Sequence, residues 1–312
     1  MDSDELSRLE ERLGRLHARQ RLGVERDHEA QVFGQGLNFF HIENSKLTAF
    51  LVEATLKLTG LYWRGRKNAA RVTVRRNRVA CAELPAPFDG LTILQLSDLH
   101  CEMSVPAMAR VAELLQPLSY DVCVVTGDFR GDTFGPCDAS MAAVAELRPR
   151  IAAPIYAVLG NHDSAHMVPR LEAMDIRVLV NESTTIERDG GTIHLAGVDD
   201  AHFYRADNIE KASADIPLDA FSVLLTHTPE IYRQAAHAGF NLLLSGHTHG
   251  GQICLPGGVP LTLDSVLPRH MGKGAWKHHG MHGYTSVGAG SSVVPVRFNC
   301  PPEITLHTLQ RM

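Results

Sequence analysis

Two histidines lie two residues apart, His247 and His249, inside Leu244-Ser245-Gly246-His247-Thr248-His249-Gly250-Gly251. The largely apolar run from Phe240 to Leu244 stops at this stretch. A buried strand that ends in a glycine-lined loop is where an α/β fold places its site, at the carboxyl ends of the strands. In an extended loop this spacing turns both imidazoles to one side, and neutral imidazole is the commonest protein metal ligand. One such pair proves little in a chain with 17 histidines among 312 residues. Four further apolar runs end in the same way. Leu91 to Leu96 leads to Asp98 and His100, Val122 to Val125 to Asp128, Ile155 to Leu159 to Gly160-Asn161-His162-Asp163, and Phe221 to Leu225 to His227. The five ends supply Asp98, His100, Asp128, Asn161, His227, His247 and His249, a mixture of oxygen and nitrogen donors that suits first-row transition metals. One metal takes about four to six ligands; seven, with one carboxylate to bridge, suit a pair about 3.5–4 Å apart.

These loops need strands to hold them. Strands at 91–96, 122–126 and 155–159 alternate with helices near 105–118 and 138–149, the pattern of parallel strands with crossover helices. A helix near 166–173 follows, then a hairpin, 184–187 and 192–196, turned by Asp189-Gly190-Gly191. Strand 221–226, helix 229–238 and strand 241–245 come next, and 284–287 and 303–309 are strand-like. Residues 71–75 and 78–82 read as a hairpin joining the sheet, with Leu84-Pro85-Ala86-Pro87 as a rigid boundary. The glycine-rich stretch 256–283, carrying His270, His278, His279 and His282, reads as a mobile lid with surface histidines.

The chain divides into a helical appendage, 1–70, and a catalytic domain, 71–312. Residues 4–32 are charged, with leucines at helical spacing, and read as a solvated or partner-packed helix. Residues 33–45 read as a loop or hinge. In 46–63, Leu47, Phe50, Leu51, Ala54, Leu58, Leu61 and Tyr62 follow one helix face. Glu53 and Lys57 argue against a spanning helix. Arg64, Arg66, Lys67, Arg71, Arg75, Arg76 and Arg78 then form an acid-free basic run. Together these describe an interfacial helix on an anionic membrane surface, or else a helix docked on the domain with solvated arginines.

Net charge is −5, so no overall basic field argues for nucleic acid. A hydrophobic fraction of 44% is enough to bury a full core. Six scattered cysteines without a C-x-x-C pair do not read as a disulfide framework and suit a reducing cytoplasm. Cys101 reads as a small buried residue rather than a ligand. The acidic start, Met1-Asp2-Ser3-Asp4-Glu5, lacks the basic region of a secretory signal.

The blocks D-x-H, G-D, G-N-H-D, H and G-H-T-H, in that order, resemble the calcineurin-like metallophosphoesterase superfamily over roughly residues 88–310. The ending, Gly288-Ala289-Gly290-Ser291-Ser292, Pro295-Val296-Arg297-Phe298 and Pro301-Pro302-Glu303-Ile304, is similar to its bacterial membrane-associated branch. That branch includes the YaeI and YkuE phosphodiesterases and the UDP-2,3-diacylglucosamine pyrophosphohydrolases. The resemblance implies an α/β fold, α+β in places, with two sheets packed face to face as a sandwich and helices outside, four layers in all. It implies two divalent ions, manganese first, with iron, zinc or cobalt also fitting. Asp98, His100 and His249 would hold one, Asn161, His227 and His247 the other, and Asp128 would bridge them. It implies hydrolysis of a phosphodiester or pyrophosphate by metal-activated hydroxide, with His162 protonating the leaving oxygen or steadying the transition state. Asn161 and Arg130 are the candidates for substrate contact; a guanidinium at 130 could grip phosphate bidentately or pair with Asp132. Asp163 reads as a residue that orients a histidine or caps the next helix.

The favoured substrate is UDP-2,3-diacylglucosamine, a step in lipid A synthesis, acted on by a peripheral protein on the cytoplasmic face of the membrane. The alternatives are a general phosphodiesterase with another substrate and, from a different class, a membrane-bound scaffold with an inactive site. A nuclease is disfavoured because only 64–78 is basic.

Overall fold

The computed structural model describes residues 3–27 and 46–312. The loop expected at 33–45 and the last part of the helix expected to reach residue 32 fall outside them. The helices are α1 Ser3–Leu13, α2 Arg15–Asp27, α3 Lys46–Leu58, α4 Tyr62–Ala69, α5 Val105–Leu115, α6 Asp138–Leu147, α7 Val168–Glu172, α8 Ile209–Ser213 and α9 Tyr232–His237. The strands are β1 Thr73–Cys81, β2 Thr92–Leu96, β3 Val122–Thr126, β4 Ile155–Val158, β5 Ile176–Val178, β6 Glu182–Arg188, β7 Gly191–Gly197, β8 Ser222–Leu225, β9 Leu242–Ser245, β10 Cys254–Leu255, β11 Val259–Pro260, β12 Gly274–His278, β13 Met281–Thr285 and β14 Glu303–Arg311.

Two six-stranded sheets form, ordered β1-β14-β2-β3-β4-β5 and β12-β13-β9-β8-β7-β6. The apolar runs are continuous because both faces of each central strand are covered. In β3, Val122 and Val124 point into the layer between the sheets, while Cys123 and Val125 point to the outer layer with α5 and α6. In β9, Leu242 and Leu244 join the inner layer and Leu243 packs outward with α9. This is the expected four-layer arrangement, and it brings the carboxyl ends of β2, β3, β4, β8 and β9 to one rim.

Three expectations change. Residues 71–82 form no hairpin. They run as the single strand β1, parallel to β14 from Thr73 opposite Glu303 to Cys81 opposite Arg311. Arg76-Asn77-Arg78 contains no glycine to supply the positive φ of a two-residue turn. Asn77 instead bonds His307 across the pair at 3.0 Å. The stretch 256–283 is not one lid, since 274–285 folds into the β12–β13 hairpin, which pairs with β9 at the edge of the second sheet. Trp276 is buried there and His278 lies edge-on to Tyr232. The helix expected over 46–63 breaks at Gly60, whose φ of +72° ends α3 before α4 begins.

The described part of the 4–32 segment, up to Asp27, is likewise two helices, broken at Gly14 with φ +87°. Leu9, Leu13, Ala18 and Leu22 are buried in the core that covers the outer face of the first sheet. The helix α3 docks through Ala49, Val52 and Leu56 on Val293, Val294 and Val296. Its other apolar residues, Leu47, Phe50, Leu51 and Leu58, stay exposed. No described helix is long and apolar enough to cross a membrane.

Candidate metal centre

Five strand ends bring all seven predicted ligand residues to one buried cluster. Asp98, His100 and Asp128 occupy the loops after β2 and β3, Asn161 the loop after β4, His227 the loop after β8, and His247 and His249 the loop after β9. None is more than 7% exposed, so each must find its partners inside the protein. Five of them, Asp98, His100, Asp128, His247 and His249, take positive φ between 40° and 70°. Non-glycine residues avoid this region, and such strain collects at functional sites. The sequence pointed to glycines for that role; here the ligand residues carry much of it themselves. Two glycines matter instead by closeness. A Cβ at Gly246 would collide with Ser97 and Asp98, and one at Gly160 with Asp128. His247 and His249 are not side by side in an extended loop. The turn at 249–251 sends His247 Nδ1 toward His227 at 3.2 Å and His249 Nε2 toward His100 Nε2 at 3.2 Å.

The donors fall into overlapping groups. Asp98, His100 and His249 converge, as do Asp98, Asp128 and His227, each set with its ligand atoms within 4.8 Å of one another. The Asn161 amide oxygen lies 2.8 Å from His227 Nε2 and 3.0 Å from His247 Nδ1. Asp128 Oδ2 is 3.2 Å from His227 Nε2 and 3.8 Å from His100 Nε2, between the two groups. Nitrogen and oxygen atoms this close need a proton or a metal cation between them, and the mixed set fits divalent first-row metals. Three imidazoles have their other nitrogen tied to a backbone carbonyl: His100 to Arg130, His227 to Thr126 and His247 to Asp264, at 2.7–2.8 Å. That bond fixes the tautomer and leaves the inward nitrogen as the donor atom.

The cluster places its positive charge on His227 and keeps His247 and His249 neutral. Burial alone would raise Asp128, but the pull of His227, His162 and His100 outweighs it and holds the carboxyl well below its usual range. Burial opposes charge on His227, yet Asp128 and Asp98 lift it to about 10. Burial keeps His247 and His249 well below the usual histidine value, the neutral form a metal needs.

His162 borders a cavity that Asp128, His247 and His249 also line. Its Nδ1 meets Thr133 Oγ1 at 3.2 Å, and its Nε2 is 4.0 Å from Asp128 Oδ2. Burial lowers it to about 4, so the ring is neutral near pH 7. Asp163 neither orients a histidine nor caps a helix; Ser164 does the capping. Its carboxylate accepts backbone N–H bonds from Asp128, Phe129 and Arg130 at 2.8–3.3 Å and from Gly160 at 2.9 Å, lacing two site loops together. Arg130 does not face a phosphate. It is 3% exposed, and its guanidinium donates to the carbonyls of His162, Thr133 and Gly135. Asn161 is fully buried among imidazoles and is not among the residues that line the cavity. Cys101 is buried, its thiol pushed far up by desolvation, and acts as a packing residue.

Sequence reasoning passed over Arg297. It is fully buried and donates to His249 Nδ1 at 3.1 Å and to the carbonyls of Val287 and Gly290. A guanidinium cannot accept, so it sets His249 apart from the other three imidazoles. The signals were its place in the family-like block Pro295-Val296-Arg297-Phe298 and a charge set inside an apolar run. His202 and Glu230 were also missed; they bond at 2.9 Å beside His247, on the cavity wall.

The uncharacterized metallophosphoesterase YkoQ of Bacillus subtilis (strain 168) is 33% identical over 229 residues, covering 70% of this chain and 83% of that protein. The uncharacterized metallophosphoesterase YkuE of the same organism is 31% identical over 239 residues, covering 73% and 82%. Among solved structures, TT1561 of Thermus thermophilus aligns with TM-score 0.43 at 14% identity, over 64% of this chain and 90% of that one. The calcineurin-like phosphoesterase family matches residues 91–251, which span every candidate ligand from Asp98 to His249, and the chain belongs to that family.

Proposed function

We propose that this phosphoric ester hydrolase cleaves a phosphodiester or pyrophosphate bond in an amphiphilic, lipid-linked substrate, and that it does so at an anionic, cytoplasmic membrane surface. One observation carries the reading. A cavity of about 760 Å³ is lined at one end by Asp128, His162, His247 and His249 and along its sides by Leu51, Val52, Leu56, Leu261, Leu263, Val266, Val293 and Val294. A soluble phosphodiester has no use for such walls, whereas an acyl chain gains about 0.8 kcal/mol per buried CH₂. The exposed apolar residues of α3 continue from this wall to the surface, and the basic run from Arg64 begins directly beyond them. Within this class UDP-2,3-diacylglucosamine is the preferred substrate, cut to the acyl-sugar 1-phosphate and UMP. The support is the likeness of the 288–304 ending to the membrane-associated branch.

Asp98, His100, His249, Asn161, His227 and His247 would hold two divalent ions, manganese preferred, with Asp128 shared. Such a pair supplies an acidified water and positive charge for the phosphoryl oxygens. Asp163 holds the Asp128 and His162 loops in register. His162, neutral at rest, donates a hydrogen bond toward the phosphoryl or leaving oxygen. The apolar walls exclude water and strengthen every charge interaction at the rim.

The test is turnover of UDP-2,3-diacylglucosamine beside generic phosphodiesters with added manganese. Asp128→Asn and His247→Ala should each abolish turnover with the fold retained, and chelation should do the same until manganese is restored. Full activity in metal-free protein would sink the mechanism. Equal turnover of acylated and unacylated esters would leave the general phosphodiesterase instead.

A further inference from the structure

The metal centre is braced from outside by α2, which the sequence placed in a separate appendage. Arg21 of α2 is fully buried although it carries a charge. Its guanidinium donates to the Asp163 carbonyl at 2.9 Å, to Asp199 Oδ1 at 3.3 Å and to Glu25 Oε1 at 2.6 Å, and it lies 3.4 Å over the Tyr204 ring. Asp199 also takes a 2.8 Å bond from His17. One turn on, the Glu25 carboxylate accepts from Ser164 Oγ at 2.6 Å and from the Ala165 amide at 2.8 Å. The helix therefore grips residues 163–165 at three points. Those residues continue directly from Asn161 and His162. Through the Asp163 carboxylate they also hold the amides of residues 128–130. Asp128 in turn accepts from the His162 amide at 3.0 Å.

We infer that α2 is a built-in brace of the reaction centre, with Arg21 and Glu25 as positioning residues that set the Asn161–Asp163 loop against Asp128. A buried arginine aimed at a backbone carbonyl is a costly way to dock a helix that already has Ala18 and Leu22 in the core. It does supply a rigid fork able to hold two loops at once. The inference rests on the phosphoesterase reading only for its kinetic readout.

The experiment uses the full-length, metal-loaded protein and compares Arg21→Met, Arg21→Lys, Glu25→Gln and Arg12→Gln. Arg12 belongs to the same helical pair but pairs with Glu172 and Glu182, away from the loop. Arg21→Met should lower kcat on a nitrophenyl phosphodiester about 10- to 100-fold, with KM within about twofold, as expected of a small displacement of reacting groups. Hydrogen exchange at the amides of residues 128–130 should speed up, while exchange in β3 stays slow. Arg21→Lys should fall between, because an ammonium cannot span both loops. Arg12→Gln should lower the melting temperature without either signature. If Arg21→Met does not fold, Glu25→Gln tests the same tie and should show a smaller loss of kcat and the same exchange pattern. Wild-type kcat and exchange in the Arg21 and Glu25 variants, or the same changes in Arg12→Gln, would overturn the inference. A wild-type protein inactive on every phosphodiester would count against the proposed function, while the exchange pattern would still decide the brace.

Discussion

The two helical pairs that precede the first strand behave in opposite ways. α1 and α2 are the charged pair, yet they are sealed onto the domain, with Leu9, Leu13 and Leu22 in the core and Arg21 and Asp199 in a buried ion pair. α3 is the apolar helix, yet Phe50 is 66% exposed, Leu58 is 89% exposed and Trp63, just beyond it, is 71% exposed. Hydrophobicity therefore does not say which helix is docked. A charged helix docks when its charges meet complementary groups, as Arg12 meets Glu172 and Glu182. An apolar helix stays half in solvent when only one of its stripes has a partner. An exposed stripe of that size beside a basic run reads as an interaction surface.

The comparison breaks most sharply at Asp199. Removing that carboxylate by Asp199→Ala leaves the buried Arg21 with Glu25 as its one carboxylate among the bonds described and should cost about 3 kcal/mol in denaturant unfolding. Leu58→Ser should stay within about 0.5 kcal/mol. Equal costs would mean that α3 is held as tightly as α2.

Next in size is the membrane face. The pair Phe50→Ser and Leu58→Ser should weaken binding to anionic phosphatidylglycerol vesicles about tenfold, or roughly 1.4 kcal/mol, without changing stability. High salt should release the wild-type protein in part, since the basic run contributes through charge. A stability loss with unchanged vesicle binding would mark these residues as packing groups.

A smaller effect is expected at Leu51, which borders the cavity and is also exposed. Leu51→Ser should lower kcat/KM for a long-chain phosphodiester about fivefold, the worth of part of one buried side chain. Turnover of bis(nitrophenyl) phosphate should be unaffected. A loss shared by both substrates would move Leu51 from the substrate to the scaffold.

The smallest effect concerns pH. Burial works to raise Asp199, but Arg21 and His17 outweigh it and hold the carboxyl below its ordinary 3.8. A carboxyl with a depressed folded-state value stabilises fully above its unfolded value, and that contribution is lost as pH falls below about 4, by at most about 1.4 kcal/mol per pH unit. Hydrogen exchange in α2 should therefore speed up below pH 4 relative to α3, whose docking is apolar. Equal acceleration in both helices would show that the ion pair contributes nothing to the difference.

Much of the site was readable because it is local. Each candidate ligand follows one of five strands within a few residues, so consecutive side chains specify both the support and the donor. The sandwich core was readable for the same reason, since an uninterrupted apolar run needs cover on both faces. The sequence by itself therefore determined the seven candidate donors, the strand ends that carry them and the need for a two-sided core. Only tertiary structure decided that β1 pairs with β14 rather than with itself, that Arg130 spends its guanidinium on loop carbonyls, and that Arg297 meets His249. It alone also set Arg21 of α2 against Asp163, 142 residues away. The physical reason is that a charged side chain carries no period or spacing that names its partner. A buried arginine and a solvated one look alike until the fold supplies, or withholds, the acceptors that make burial tolerable.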